Sequence, residues 1–321
     1  MMSVLVTGAN GFVGTSLCSV LSASGLNVVA AVRSSSSNCQ EYIRKIVVGN
    51  ISPYTSWENA LNNIDVVVHL ASRVHVMDEI TKDPLAEYRL INVTATENLA
   101  RQCVNKGVKR FIFLSSIKVN GEKTDGKPFH PDDIPIPQDN YAVSKLEAEI
   151  LLRKIEQESD MEVVIIRPPL IYGPGVKGNF LRLLKIVNIG TPLPLGKVSN
   201  QRSLVSLPNL CDLVRVCIKN PKAAGRTFLV SDGEDLTTSE LLYKLSYMMN
   251  KPSRYFRFPV RLIRLAGKMT GKSLIVNRLC DSLQIDITSL KNTFDWTPPF
   301  SVDEGLRLTV SWFMQTDQNG K

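Results

Sequence analysis

The sequence predicts an α/β protein, a doubly wound parallel sheet with a smaller C-terminal α/β domain. Three observations carry this. Short β-branched runs alternate with helix-length stretches over the first 170 residues, a glycine-rich turn follows the first run, and Pro- and Gly-rich connectors break the pattern from Pro168 onward. Strands alternating with helices imply βαβ units on a parallel sheet. The 321 residues, 44% hydrophobic and 21% charged, make an ordinary globular composition with length for about two domains, which excludes disordered and disulfide-scaffold classes.

In chain order, strands are expected at 4–7, 28–32, 45–48, 65–70, 111–114 and 163–167, with helices at 12–24, 57–62, 84–106 and 141–158. The first domain is placed at 1–168 with a return segment at about 200–230, and the second at 169–199 and 231–321. No internal repeat is visible. The one low-complexity patch, Ser34 to Ser37, is expected to be a flexible loop.

No apolar run approaches the roughly 20 residues that span a bilayer. The N-terminus, Met1-Met2-Ser3-Val4-Leu5-Val6, lacks the basic region and cleavage site of a signal peptide, so a cytoplasmic location is expected. The cysteines (Cys18, Cys39, Cys103, Cys211, Cys217, Cys280) show no Cys-x-x-Cys pair and no metal-ligand spacing, so reduced thiols and no metal are expected. The formal charge of +8 favours anions. Charge alone leaves an anionic substrate, nucleic acid and an anionic membrane face open.

The first run enters Gly8-Ala9-Asn10-Gly11-Phe12-Val13-Gly14 directly, ahead of a helix-forming stretch. Glycines at this spacing let the turn tighten and the backbone approach a pyrophosphate, while the helix N-terminus supplies positive potential. The position between a first strand and a first helix makes this a dinucleotide site rather than only a tight turn.

Here the sequence resembles the extended short-chain dehydrogenase/reductases, the NAD-dependent epimerase/dehydratase family. The resemblance continues through Asp65-Val66-Val67-Val68-His69-Leu70-Ala71, the run 92–99, Ser115-Ser116, Tyr141-Ala142-Val143-Ser144-Lys145, Arg167-Pro168 and the terminal run 294–298. It implies a Rossmann domain bearing a smaller substrate domain. It also implies cofactor contacts from Gly8, Asn10, Gly11, Phe12, Val13, Gly14, Asn50, Ile51, Leu70, Ala71, Ser72, Asn92, Tyr141, Lys145 and Pro168. Where relatives that use NAD end the second strand with an acid, this chain has Val32 and then Arg33, and a guanidinium there pairs with a 2′-phosphate. NADP(H) is therefore the expected cofactor, with NAD(H) the alternative.

Tyr141 and Lys145 are four apart, on one face of a helix that follows the fifth strand, and Ser115-Ser116 end that strand. By resemblance Ser116, Tyr141, Lys145 and Asn92 form the catalytic set. Tyr141 would exchange a proton with a sugar hydroxyl or carbonyl, its pKa lowered toward neutrality by the Lys145 ammonium and the oxidised nicotinamide. Ser116 would hold the reacting oxygen, and Asn92 would position water and backbone. Ile117 and Lys118 stand where relatives that eliminate water or carbon dioxide carry an acid, which leaves hydride transfer at a single carbon. Asn120 in Val119-Asn120-Gly121 replaces a family tyrosine and is expected to bring amide polarity near the sugar. His69 is expected to be a core histidine, and His75 is left open.

Substrate contacts implied by the resemblance are Ser116, Lys118, Asn179 and Arg202, the last two toward a nucleotide diphosphate, with Lys177 nearby. The segment 254–268 interleaves cations with apolar residues, fitting either a helix packed into the second domain with solvated arginines or a face on an anionic membrane. The resemblance is to bacterial surface-polysaccharide enzymes that act at C4 of a UDP-sugar, an N-acetylhexosamine derivative. Arg33 and Asn120 favour a 4-keto reductase over a 4-epimerase. A UDP-sugar is the expected partner, with no nucleic acid and no integral membrane contact, and a homodimer through helices 84–106 and 141–158 is a family expectation. A non-catalytic nucleotide-binding scaffold is the remaining alternative, but it would not need Ser116, Tyr141 and Lys145 together.

Overall fold

The computed structural model describes residues 1–35, 43–74 and 83–319; Ser36, Ser37, Cys39 and His75 lie outside them. The chain begins with β1 (Ser3–Thr7), α1 (Phe12–Ala23), β2 (Asn27–Val32), β3 (Arg44–Val47) and β4 (Val66–His69). α2 (Pro84–Arg89), a π turn (Leu90–Thr94) and α3 (Ala95–Asn105) lead to β5 (Arg110–Leu114). A 3₁₀ turn (Ile117–Val119), α4 (Asn140–Gln157), β6 (Glu162–Arg167), β7 (Leu170–Tyr172) and α5 (Gly178–Ile189) follow. Then come β8 (Arg202–Ser206), α6 (Leu207–Lys219), β9 (Thr227–Leu229), β10 (Asp235–Leu236), α7 (Thr238–Met248), α8 (Val260–Met269), α9 (Ser273–Cys280), α10 (Thr288–Phe294) and α11 (Val302–Asn319).

Seven strands form one parallel sheet in the order β3-β2-β1-β4-β5-β6-β9. Alternate residues of each strand face opposite layers. Val4, Val6, Val28, Ala30, Val66 and Val68 pack under α1 and α6. Leu5, Val29, Ala31, Val67, Phe111 and Phe113 pack under α3 and α4. Both faces are covered, which is why the strands appear in sequence as continuous apolar runs. β10, β8 and β7 form a second, three-stranded sheet. Its surroundings hold a third core, in which Tyr172, Phe180, Leu242, Leu245, Leu306 and Phe313 meet. Among the described residues no helix is long and apolar enough to cross a membrane.

Two expectations change. The stretch 57–62 is turn rather than helix: Trp57 and Leu61 are buried as helical spacing would have them, but a single bond from Leu61 N–H to the Trp57 carbonyl forms, and Asn63 follows at φ +59°. The helix at 84–106 is interrupted by the π turn, which holds Asn92. Such insertions of one residue in a helix recur at functional sites because they turn a side chain out of register.

Candidate active site

A parallel sheet brings every strand's carboxyl end to one edge, and the strand order reverses between β1 and β4, the point at which such sheets bind ligands. Gly8 follows β1, Arg33 follows β2, Asn50 lies just past β3, Leu70, Ala71 and Ser72 follow β4, Ser115 and Ser116 follow β5, and Pro168 follows β6.

Gly8 has φ +66°, and a Cβ there would lie 2.9 Å from the Ala71 nitrogen. At Gly14 a Cβ would meet the Gly8 carbonyl oxygen at 2.1 Å. Gly11 N-caps α1 with no side-chain cap, and no acidic residue occupies the first turn, so the helix offers bare backbone donors and undiminished positive potential. Asn10 and Gly11 are exposed at the turn, and Phe12 and Val13 are half-buried at the start of α1. This cradle fits a dinucleotide pyrophosphate. Gly14→Ala is expected to cost about 1 to 3 kcal/mol, because the added methyl can be housed only by moving the turn. A urea melt run beside an NAD titration would register both losses; unchanged values would show that the turn is not constrained in this way.

Beside the cradle, the Thr7 hydroxyl accepts from Leu70 N–H (3.2 Å) and Ala71 N–H (3.3 Å) and lies 2.8 Å from His69 Nδ1. Its proton therefore goes to Nδ1, which leaves Nε2–H to donate to Thr96 Oγ1 at 3.0 Å. Burial, and then the Lys145 charge, lower the His69 pKa from 6.5 to about 3. His69 is a core residue, as expected. Between those two values the unfolded chain takes up a proton that folded His69 refuses, so stability falls as pH falls through this window. His69→Gln is expected to reduce the acid slope, read as a smaller shift in urea midpoint between pH values on either side of the ordinary histidine pKa. An undiminished slope would assign the acid loss to other groups.

Asn92 ties the loop after β4 to α4. Its Oδ1 accepts from Ser72 Oγ (3.1 Å) and Arg73 N–H (2.8 Å), and its Nδ2 donates to the Arg73 carbonyl (3.1 Å) and Ser144 Oγ (3.0 Å). α4 is started by Asp139, whose Oδ1 accepts from Ala142 N–H at 2.7 Å. In the first turn of α4, Tyr141 lies edge-on to Tyr88 at 6.3 Å between ring centroids. Lys145 is buried, its Nζ 3.8 Å from the centroid of the Phe113 ring. Burial lowers Lys145 from 10.5 to about 7 against the opposing pull of Glu149. Burial, then the Asp139 charge, push Tyr141 up to about 12, and a hydrogen bond with Ser72 opposes them. The lowering of Tyr141 expected from the Lys145 ammonium and the oxidised nicotinamide is thus not seen in the protein alone, where burial and Asp139 set the shift upward. Ser116, half-buried at the end of β5, accepts weakly from Lys118 N–H at 3.3 Å.

Sequence reasoning missed the network beneath this set. Glu149 accepts from Ser115 Oγ in a very short bond and from Arg167 Nε (3.0 Å) and Nη2 (2.5 Å), while Arg167 Nη1 donates to Asn120 Oδ1 at 2.9 Å. The signal was present: Glu149 follows Lys145 by four residues, on the face of α4 that carries Tyr141. Asn120 is correspondingly corrected. It is buried, its Nδ2 donates to the His130 carbonyl (3.0 Å), and its amide is committed inward rather than toward a sugar.

The substrate positions divide. Lys118 Nζ is held by Asp139 Oδ2 (2.5 Å) and Glu122 Oε1 (2.7 Å), which bind the 3₁₀ turn to the start of α4. Arg202, largely buried at the start of β8, donates through Nη1 to the Asp281 carbonyl at 3.0 Å, and burial lowers its pKa against the pull of Asp281 and Glu122. Asn179 is exposed in the first turn of α5, where Lys177 is the N-cap residue.

A family model described as the NAD dependent epimerase/dehydratase family matches residues 4–231, more than half of the chain. The chain belongs to that family. It is 46% identical over 318 residues to a UDP-glucose 4-epimerase of Vibrio cholerae, covering 98% of this chain and 96% of that protein. It is 29% identical to the N-acetyl-alpha-D-glucosaminyl-diphospho-ditrans,octacis-undecaprenol 4-epimerase of Escherichia coli O157:H7, over 97% and 95% of the two chains. Among solved structures, MoeE5 in complex with UDP-glucose and NAD superposes with a TM-score of 0.77 at 26% identity, over 98% and 99% of the chains.

The NADP(H) expectation is corrected by this last finding: the similar structure holds NAD, which favours NAD(H) over NADP(H). Arg33 is exposed on the loop leaving β2, where a solvated guanidinium needs no phosphate partner. An arginine at a strand end was too common a feature to outweigh the rest of the fold.

Proposed function

We propose that the chain inverts the configuration at C4 of a UDP-hexose, using NAD. The observation that carries this reading is the 46% identity, across almost the whole chain, with an enzyme of that activity. The sequence favoured a 4-keto reductase on two grounds, Arg33 as a mark of NADP and Asn120 beside the sugar, and neither ground remains.

Bound at the cradle of Gly8, Gly11 and Gly14, NAD supplies a hydride acceptor and a positive charge. The chain's own residues handle the proton and the geometry. Tyr141 takes the proton of the C4 hydroxyl and later returns it. Its ring is fixed by Tyr88 and its oxygen by Ser72, so the proton moves at a set place. Ser116 holds the reacting oxygen by hydrogen bond. Lys145, when protonated, supplies the charge that favours the Tyr141 phenolate. Asn92 keeps the loop carrying Ser72 against α4, which holds these groups in register. Arg202 and Asn179 are assigned to the diphosphate, where a guanidinium and an amide suit phosphate oxygens. Lys118 is assigned to the same side of the site through its neighbours Glu122 and Asp139.

The test is incubation of the purified protein with UDP-glucose, and separately with UDP-GlcNAc, with and without added NAD. Appearance of the C4 epimer with no net change at the nicotinamide absorbance band is the expected result. If neither sugar is converted, and a UDP-4-keto-6-deoxy-HexNAc instead consumes reduced cofactor mole for mole, the epimerase reading fails and the reductase is restored.

A further inference from the structure

The segment from 251 to 280 contains eight Lys and Arg and no Asp or Glu, a surplus equal to the formal charge of the whole chain. It forms α8 and α9, packed against each other where a Cβ on Gly267 would lie only 2.6 Å from Val276. The hairpin is therefore a closely fitted unit. Val260 and Ile263 face the core of the smaller domain, and Gly267 faces α9.

The other side of α8 is also apolar. Leu262, Leu265 and Met269 recur at helical spacing on the outward face and are 48%, 54% and 80% exposed. Leu274 and Ile275 of α9 (70% and 53%), on the helix packed against α8, and Phe256 ahead of α8 (49%) are exposed as well. Arg261, Arg264 and Lys268 run along the flank of the same helix, one residue from the apolar stripe at each step. Arg264 is paired with Asp281 at 2.7 Å. Among the described residues, Arg257, Arg261, Lys268 and Lys272 form no ion pair. The expectation that this helix packs its apolar face inward and merely solvates its arginines thus covers only half of it.

An exposed apolar helix face of this kind, flanked by charge, marks a docking surface. We propose that the α8–α9 hairpin seats the protein on the anionic surface of a phospholipid bilayer, with Leu262, Leu265, Met269, Leu274 and Ile275 entering the headgroup boundary. Charge complementarity selects this occupant. A helix with an apolar face and a purely cationic flank lies in the plane of an anionic interface and spans nothing. A second copy of the chain would bring the same cations against each other around a two-fold axis. Asp281 joins the hairpin to the candidate site, since its carboxylate pairs with Arg264 and its carbonyl accepts from Arg202. Docking through the hairpin would hold the Arg202 side of the site near the lipid surface.

Flotation of the full-length chain with vesicles tests this. It should float with phosphatidylcholine vesicles that contain phosphatidylglycerol, not with phosphatidylcholine alone, and should be released as salt is raised. The pair Arg257→Gln and Arg261→Gln should lower partitioning by about thirtyfold, the effect of losing two cations near an anionic leaflet. Leu265→Glu with Met269→Glu should abolish flotation at an unchanged melting temperature. If that pair melts early, the exposed arginine pair decides alone. Equal binding to both vesicle types, no flotation at low salt, or retained flotation by the arginine pair would overturn the proposal. So would a stable dimer in solution whose interface is Leu262 and Leu265 and which ignores vesicles.

Discussion

Tyr141→Phe is expected to lower turnover about 100- to 10,000-fold, the range lost with a positioned acid–base group. Cofactor binding and melting temperature should hardly move. The ring stays against Tyr88 in the variant, and the only bond lost is the one with Ser72, worth about 1 kcal/mol. The separation of these readouts gives the experiment its force. A group that only filled space would lose neither; a group that held the fold would lose the melt first. The pH profile adds a second check. Tyr141 lies at about 12 in the protein alone and Lys145 at about 7, so in the wild type the phenol is the harder of the two to deprotonate until further positive charge arrives. Adding NAD⁺ should therefore bring Tyr141 down, visible as phenolate absorbance that the Phe variant lacks. Retained turnover in that variant would remove Tyr141 from the chemistry.

The parts of this fold that were legible in the sequence share a physical property: their residues are constrained locally. Five of the six strands expected from the sequence sit between two helical layers, so each stands out as a mainly apolar run, whereas β3 at the sheet edge (Arg44-Lys45-Ile46-Val47) is largely exposed. Gly11 and Gly14 are set by backbone contact within a seven-residue turn, and Gly8 by its own positive φ as well as by the approach of Ala71. Tyr141 and Lys145 are set by one helix face. What was missed depends on distant partners. Asn120 turns inward because Arg167, 47 residues on, donates to it. Trp57 and Leu61 bury themselves with helical spacing in a segment too short to sustain a helix, and spacing alone does not distinguish the two. The π turn at Asn92 inserts one residue that composition does not mark. The strands β7 and β10 are three and two residues long, too short for a period to show, and β8 (Arg202-Ser203-Leu204-Val205-Ser206) carries only two apolar residues. Arg33 shows the opposite failure, a local feature given meaning that only a bound phosphate could supply.

The buried pair beneath the site leads to the second large effect. Glu149 and Arg167 have side chains 4% and 6% exposed, and the carboxylate joins α4 to Ser115 at the end of β5 and to Arg167 at the end of β6. Replacing Glu149 by Ala leaves the guanidinium buried with, among the described residues, Asn120 as its one side-chain partner, and breaking such a pair costs about 3 to 5 kcal/mol. The double variant Glu149→Gln with Arg167→Met should recover much of that, since an apolar replacement of a buried pair is often neutral. Activity should not follow stability. Glu149 is the group that holds Lys145 up against burial, so both variants lower the Lys145 pKa below about 7. The ammonium is then lost at lower pH, and the alkaline limb of the activity profile should move toward acid in the double variant even where its melting temperature is restored. A restored melt with an unmoved limb would confine Glu149 to the fold. A limb that moves while the melt recovers makes it a positioning residue for Lys145, acting from one helical turn away.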